Sequence, residues 1–201
     1  MTEEKTIRAF VAIELPEEIL NEIAGIQNRL KKTIHGVIRW VRPEGMHLTL
    51  KFLGNISVDD VANISRVVEN SVAGVKPLSL SLRSVGVFPD MMRPRVVWLG
   101  INGDVVPLLR LQKVMDQGFE DYGFKREERP FRPHLTLGRI KSPKGMIGLA
   151  AAVEKGGDFV AGEFKAERLT LFGSDLTAGG AIYTKLGWFP FRGISVISRK
   201  S

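Results

Sequence analysis

Three histidines occur in the sequence, and two of them open the same tetrapeptide: His47-Leu48-Thr49-Leu50 and His134-Leu135-Thr136-Leu137. An extended chain alternates its side chains between two faces. Read as a strand, each segment offers an imidazole and a hydroxyl on one face and two leucine anchors on the other. A half-buried amphipathic strand explains either segment alone. It does not explain the same two polar groups, in the same order, on both.

Imidazoles with an unperturbed pKa near 6.5 coexist near neutrality as one base and one acid. Set on opposite sides of one reacting centre, such a pair suits in-line displacement at phosphorus. The base takes a proton from an incoming water or hydroxyl, and the acid gives one to the departing oxygen. Thr49 and Thr136 are then placed to donate hydrogen bonds to the non-bridging oxygens. Spacing alone leaves open which histidine is the base.

A metal is not expected. Catalytic zinc usually takes three protein ligands, yet Glu44 stands three residues before His47 and nothing acidic adjoins His134. The absence of cysteine excludes a thiol nucleophile and a disulfide framework and favours a reducing compartment. There is no Gly-x-Ser-x-Gly elbow and no glycine-rich phosphate loop, so no nucleotide cofactor is expected either. His35, ahead of Gly36, reads as an ordinary turn residue.

The elements that must position these groups follow from periodicity. Ile7 to Leu15 reads as a strand, and Pro16 opens a helix with Ile19, Ile23, Ile26 and Leu30 as its apolar stripe. Two β-rich runs follow, Val37 to Val41 and His47 to Leu53. Ser57 then opens a second helix bearing Val61, Ile64, Val68 and Val72. Leu78 to Val87 and Arg95 to Ile101 read as antiparallel strands joined by a Pro/Asp turn. A helix over about Asp104 to Tyr122, the His134 strand and a helix near Pro143 to Lys155 come next. Strands close the chain over Ala161 to Phe172, Ala181 to Phe189 and Ile194 to Ile197. The result is an α+β chain. Identical strands in two halves predict a duplication folded about a pseudo-twofold axis, which brings the two polar faces together across a cleft.

With 201 residues, 44% of them hydrophobic, the chain buries a sizeable core without stapling. Acids at Glu3 and Glu4 do not suit a signal peptide, and no window approaches a membrane span. A cytoplasmic protein with no membrane association and no obligate protein partner is expected. Lys plus Arg number 29 against 22 Asp plus Glu, a net charge of +7 that suits a polyanionic partner.

The paired His-x-Thr-x tetrapeptides resemble the signature of the two-histidine (2H) phosphoesterase superfamily. The flanking runs RAFVAIELP from Arg8, RWVRPEGMHLTLKFLG from Arg39, RVVWLGI from Arg95, RPFRPHLTLGR from Arg129 and LTLFGSDLTAGGAIYTKL from Leu169 look like its branch of RNA 2′,3′-cyclic phosphodiesterases, also called 2′-5′ RNA ligases. The resemblance implies one bilobal α+β domain over 1–201, two antiparallel β-sheet lobes with outer helices around a central cleft, in agreement with the duplication. It also implies hydrolysis of an RNA terminal 2′,3′-cyclic phosphate to a 2′-phosphomonoester. It makes His47 the proton donor and His134 the proton acceptor, puts Thr49 and Thr136 on the phosphate, and allows a reversible 2′-5′ joining in which an RNA 5′-hydroxyl attacks the cyclic phosphate.

Basic residues near the motifs are candidates for holding RNA: Arg139, Lys51, Arg132, Arg129 and Arg95, with Arg126 and Arg42 close by in sequence. Phe52, Phe131 and Trp40 are candidates for stacking on a base. Two other readings stay open, a non-catalytic RNA-binding module and a phosphodiesterase for a small cyclic nucleotide. A binding module has no need of two acid–base groups, since Lys or Arg holds phosphate at any pH.

Overall fold

Five consecutive buried residues, Ala9 to Ile13, run through the first strand, β1 (Thr6–Glu14), in the computed structural model, which describes residues 5–177 and 180–193. Pro16 then starts α1 (Glu17–Thr33). Glu17 and Glu18 in its first turn and Lys31 and Lys32 in its last complement the helix dipole. Ile19, Ile23, Ile26 and Leu30 are buried as the periodicity predicts, and so is Gln27.

The chain continues through β2 (Ile38–Trp40) and β3 (His47–Ser57), which outruns its expected end at Leu53. Ser57 caps a 3-10 turn, accepting a hydrogen bond from the Asp59 amide at 3.3 Å, so α2 (Val61–Val72) begins later than the capping pattern predicts. β4 (Leu78–Phe88) and β5 (Val96–Gly103) form the expected hairpin. In its loop Asp90 Oδ1 accepts from the amides of Met92 and Arg93 at 2.8 and 2.9 Å.

Next come α3 (Val105–Asp121), β6 (His134–Ile140) and α4 (Leu149–Glu154). The last is much shorter than expected, because Gly148, at φ +77°, breaks the helical path just ahead of it. The run expected as one strand from Ala161 to Phe172 is two, β7 (Val160–Ala166) and β8 (Arg168–Thr177), which pair in different sheets. β9 (Gly180–Pro190) completes the order. The strand expected over 194–197 and the turn residues Ala178 and Gly179 lie outside the described residues.

Two sheets result, ordered β3-β1-β8-β9 and β2-β6-β5-β4-β7, antiparallel throughout. In each, a histidine strand lies beside the strand that precedes it across a helix: β3 beside β1 across α1, and β6 beside β5 across α3. This order is consistent with two related halves. One apolar cluster runs through both sheets and takes in Leu48, Leu50, Leu135 and Leu137. The leucine faces of the two histidine strands are therefore anchored in a common core, and β3 and β6 approach within 8 Å between Cα atoms.

Candidate active site

Register explains how each strand presents its polar groups. Glu14 pairs with His47, Ile13 with Leu48 and Ala12 with Thr49, but Val11 pairs with Lys51, so Leu50 is an extra residue opposite that step. In β6, Gly100 pairs with His134, Leu99 with Leu135 and Trp98 with Thr136, while Val97 pairs with Gly138, so Leu137 is the extra residue. The two tetrapeptides thus carry a β-bulge at the same fourth position. His47 and Thr49, like His134 and Thr136, are half-buried, whereas all four leucines are buried.

The bulge corrects one expectation. In an unbroken strand Lys51 would share a face with His47 and Thr49 and reach RNA. The extra residue turns it to the core beside Val11, where its side chain is 2% exposed. Lys51 Nζ donates to Asp116 Oδ1 on α3 and to the Lys125 carbonyl at 2.7 Å. Asp116 Oδ2 accepts from the Glu127 amide at 3.3 Å. Lys51 is a structural cation that ties β3 to α3 and to the loop leading toward His134.

The same bulge brings Phe52 to the site face, 59% exposed and 6.0 Å from the ring of Phe10. The equivalent position in β6 is Arg139, also exposed. Phe131 and Trp40 are partly buried and pack against the core, Trp40 with Lys31 over its ring. Arg129, Arg132 and Arg95 are exposed, whereas Arg126 is engaged with Asp116 and Glu120. His35 lies apart from both histidine strands, its backbone bridged to Ile147.

His47 sits in an aromatic nest. Its ring stacks on Phe10 at 4.5 Å and meets the edge of Tyr183 at 5.1 Å, with Phe172 at 5.9 Å. Burial pushes its pKa down to about 4, against a weaker opposing effect of the Gly45 carbonyl. Across the ladder, Glu14 accepts from Thr170 Oγ1 at 2.7 Å, pairs with Lys185 and lies 3.6 Å from Arg168. Burial works to raise the Glu14 pKa, but Lys185, Thr170 and Arg168 outweigh it and hold it below the usual carboxylate value.

His134 stands in a more open and more cationic place. Phe88 meets its ring edge-on at 4.9 Å, and Trp98 lies behind Phe88 at 5.1 Å. Trp98 rests on Gly86, where a Cβ would come within 2.2 Å of the indole. Nδ1 of His134 donates to the Arg132 carbonyl at 2.7 Å, which fixes the tautomer and leaves Nε2 free. Its pKa is lowered by burial; the Arg132 carbonyl opposes this, and the Arg139 guanidinium adds to it.

Sequence reasoning missed two supports of this geometry. Gln27 Nε2 donates to the carbonyls of Val41 and of Leu137, each at 2.8 Å, and the Val41 amide also donates to Leu137 O at 2.9 Å. These bonds occupy the carbonyl of the bulged residue itself. The signal was present, since a glutamine in an apolar stripe calls for a buried partner. Glu14 gave no such signal, because its place opposite His47 depends on the β1–β3 register.

Each of the two antiparallel sheets thus presents one His-x-Thr strand with a bulge behind it. The chain belongs to the LigT like Phosphoesterase family, whose model matches it over residues 13–98 and again over 100–183, so that each match holds one tetrapeptide. It is 36% identical to a protein of Methanothermobacter thermautotrophicus named RNA 2′,3′-cyclic phosphodiesterase, over 91% of this chain and 98% of that one. A Thermotoga maritima protein of the same name is 33% identical over 93% and 97%. Among solved structures, a Thermus thermophilus protein superposes with a TM-score of 0.75 at 28% identity, covering 93% and 99% of the two chains. Escherichia coli LigT complexed with 3′-AMP gives 0.73 at 26% identity, covering 92% and 98%.

Proposed function

We propose that this protein hydrolyses the terminal 2′,3′-cyclic phosphate of RNA to a 2′-phosphomonoester, with His134 as proton acceptor and His47 as proton donor. The observation that carries the reading is the repeated strand: the same imidazole and hydroxyl, backed by the same bulge, on strands that approach within 8 Å. The names of the curated relatives supply the substrate.

His134 Nε2, free because Nδ1–H is committed to the Arg132 carbonyl, takes a proton from water as the water oxygen bonds to phosphorus. The bond from phosphorus to O3′ breaks. His47 delivers its proton to O3′, leaving a 3′-hydroxyl and the 2′-phosphate. Thr49 and Thr136 donate to the non-bridging oxygens, where charge accumulates. In the aromatic nest His47 is neutral in the free protein near pH 7, so its acid form depends on the bound phosphate, whose negative charge favours the imidazolium. With a 5′-hydroxyl of RNA in place of water, the same proton transfers run a 2′-5′ joining reaction.

The test is to incubate the protein with an oligonucleotide ending in a 2′,3′-cyclic phosphate and to identify the monoester formed. A 2′-phosphate is expected, with turnover retained in a chelator. A 3′-phosphate would reverse the leaving oxygen and overturn the assignment. Binding without turnover would leave an RNA-binding module.

A further inference from the structure

The face of the first sheet that carries His47 and Thr49 extends across all four of its strands, and the reaction above uses only its near end. Directly paired residues in a ladder point to the same side. One such row runs from Thr49 on β3 through Ala12 on β1 and Thr170 on β8 to Trp188 on β9. Ala12 belongs with Phe10 and Phe172 to the small apolar cluster against which the His47 ring lies. The alternate residues turn the other way: Leu169, Leu171 and Phe189 enter the main core, and a Cβ on Gly187 would come within 3.9 Å of Ser65 Oγ on α2. Trp188 therefore stands on the His47 face.

The surroundings of Trp188 indicate what it meets. The indole is 64% exposed, and among the described residues it contacts no other ring and no cation lies over it. The other two tryptophans, Trp40 and Trp98, are partly buried. On the same face Arg168 and Lys185, both exposed, share the single carboxylate of Glu14, which leaves surplus positive charge beside the ring. An open π-surface next to cations suits a nucleobase on its phosphate backbone, because every base has a face to stack. The net charge of +7 draws the same polyanion.

We propose that Trp188 is a stacking platform for a base on the 5′ side of the terminal nucleotide, and that it makes an RNA chain a better substrate than a free cyclic nucleotide. The inference rests on the function proposed above. The terminal nucleoside has other rings beside it, Phe52 on β3 itself and Phe10 on the adjoining β1. Trp188 lies beyond Ala12 and the fully buried Thr170, so it lengthens the site toward the body of the chain.

The experiment measures kcat/KM on three substrates: a nucleoside 2′,3′-cyclic phosphate, a tetranucleotide ending in the cyclic phosphate, and the same tetranucleotide with abasic riboses at every position but the last. In the wild-type protein the full tetranucleotide is expected to exceed its abasic counterpart about tenfold. Trp188→Ala is expected to remove most of that margin by raising KM for the tetranucleotide, with kcat, cleavage of the nucleoside cyclic phosphate and Tm unchanged. Trp188→Phe restores most of it. An equal margin in wild type and Trp188→Ala, or no margin in wild type, overturns the platform in favour of a protein partner for the exposed ring and leaves the phosphodiesterase reading intact. A loss shared equally by all three substrates would assign Trp188 to the fold or to the terminal nucleoside and overturn it as well. Failure of the wild-type protein to cleave any of the three would instead remove the reading on which the platform depends.

Discussion

The two histidine strands are alike in sequence and unlike in setting. β3 lies at the edge of its sheet, with His47 stacked among Phe10, Phe172 and Tyr183 and opposite a carboxylate. β6 is flanked on both sides, and His134 has Phe88 on one side and Arg139 near it. Behind the bulge the first strand carries Lys51, locked to Asp116, while the second carries Gly138, which lets β2 close over it. A shared tetrapeptide thus fixes only the position of the imidazoles and hydroxyls. Their protonation, and what they hold, come from neighbours that the two halves do not share.

The comparison is broken most directly by removing each histidine. His47→Ala and His134→Ala are each expected to lower kcat/KM by about 10² to 10⁴, as measured on an RNA with a cyclic phosphate end. The double variant should fall little further than the worse single one, since the proposed mechanism uses both groups in one step. A single variant with near-wild-type turnover would show the two halves to be unequal in function as well as in surroundings.

Removing what lies behind the bulges comes next in size. Lys51→Met leaves Asp116 buried with its strongest partner gone, and a cost of about 3–5 kcal/mol is expected in denaturant unfolding. The paired replacement Lys51→Met with Asp116→Leu should recover much of it. A Lys51→Met protein as stable as wild type would mean that the ion pair does not tie β3 to α3.

These two strands also show what was legible beforehand. Alternation revealed the leucine anchors, the facing hydroxyls and the two-sheet α+β fold, because period-2 burial is a local property. It misplaced Lys51 because a bulge is set by the partner strand, and the Val11 that faces Lys51 is separated from it along the chain by the whole of α1 and β2. Gln27 was visible as a polar residue in an apolar stripe, yet its partner, the Leu137 carbonyl, lies 110 positions away. Local pattern reports which face a residue takes, and cross-strand register decides whom it meets.

Acid sensitivity sharpens the contrast further. Between the folded value of about 4 and the ordinary 6.5, His47 binds a proton in the unfolded chain and not in the folded one. Stability therefore rises with pH across that window and is lost as pH falls from 6.5 toward 4. At about 1.4 kcal/mol per pH unit the full loss is about 3 kcal/mol. His47→Phe should flatten the Tm–pH curve over this range. An unchanged slope would mean that the aromatic nest does not exclude the imidazolium.

The smallest effect, and the one that separates the two sites most finely, is the shape of the rate profile. The limbs of kcat/KM against pH report the free protein. Both histidines are held below 6.5, so its maximum is expected on the acid side of 6.5, whichever of them is the base. The profile of kcat should lie higher, because a bound phosphate favours both imidazolium forms. Arg139 repels a proton on His134, so Arg139→Gln should move one limb of kcat/KM upward, while Arg139→Lys, which keeps the charge, should not. The other limb belongs to His47 and should stay in place. Movement of both limbs together would mean that the histidines titrate as one coupled pair, and the difference in setting between the two strands would then have no separate expression in the chemistry.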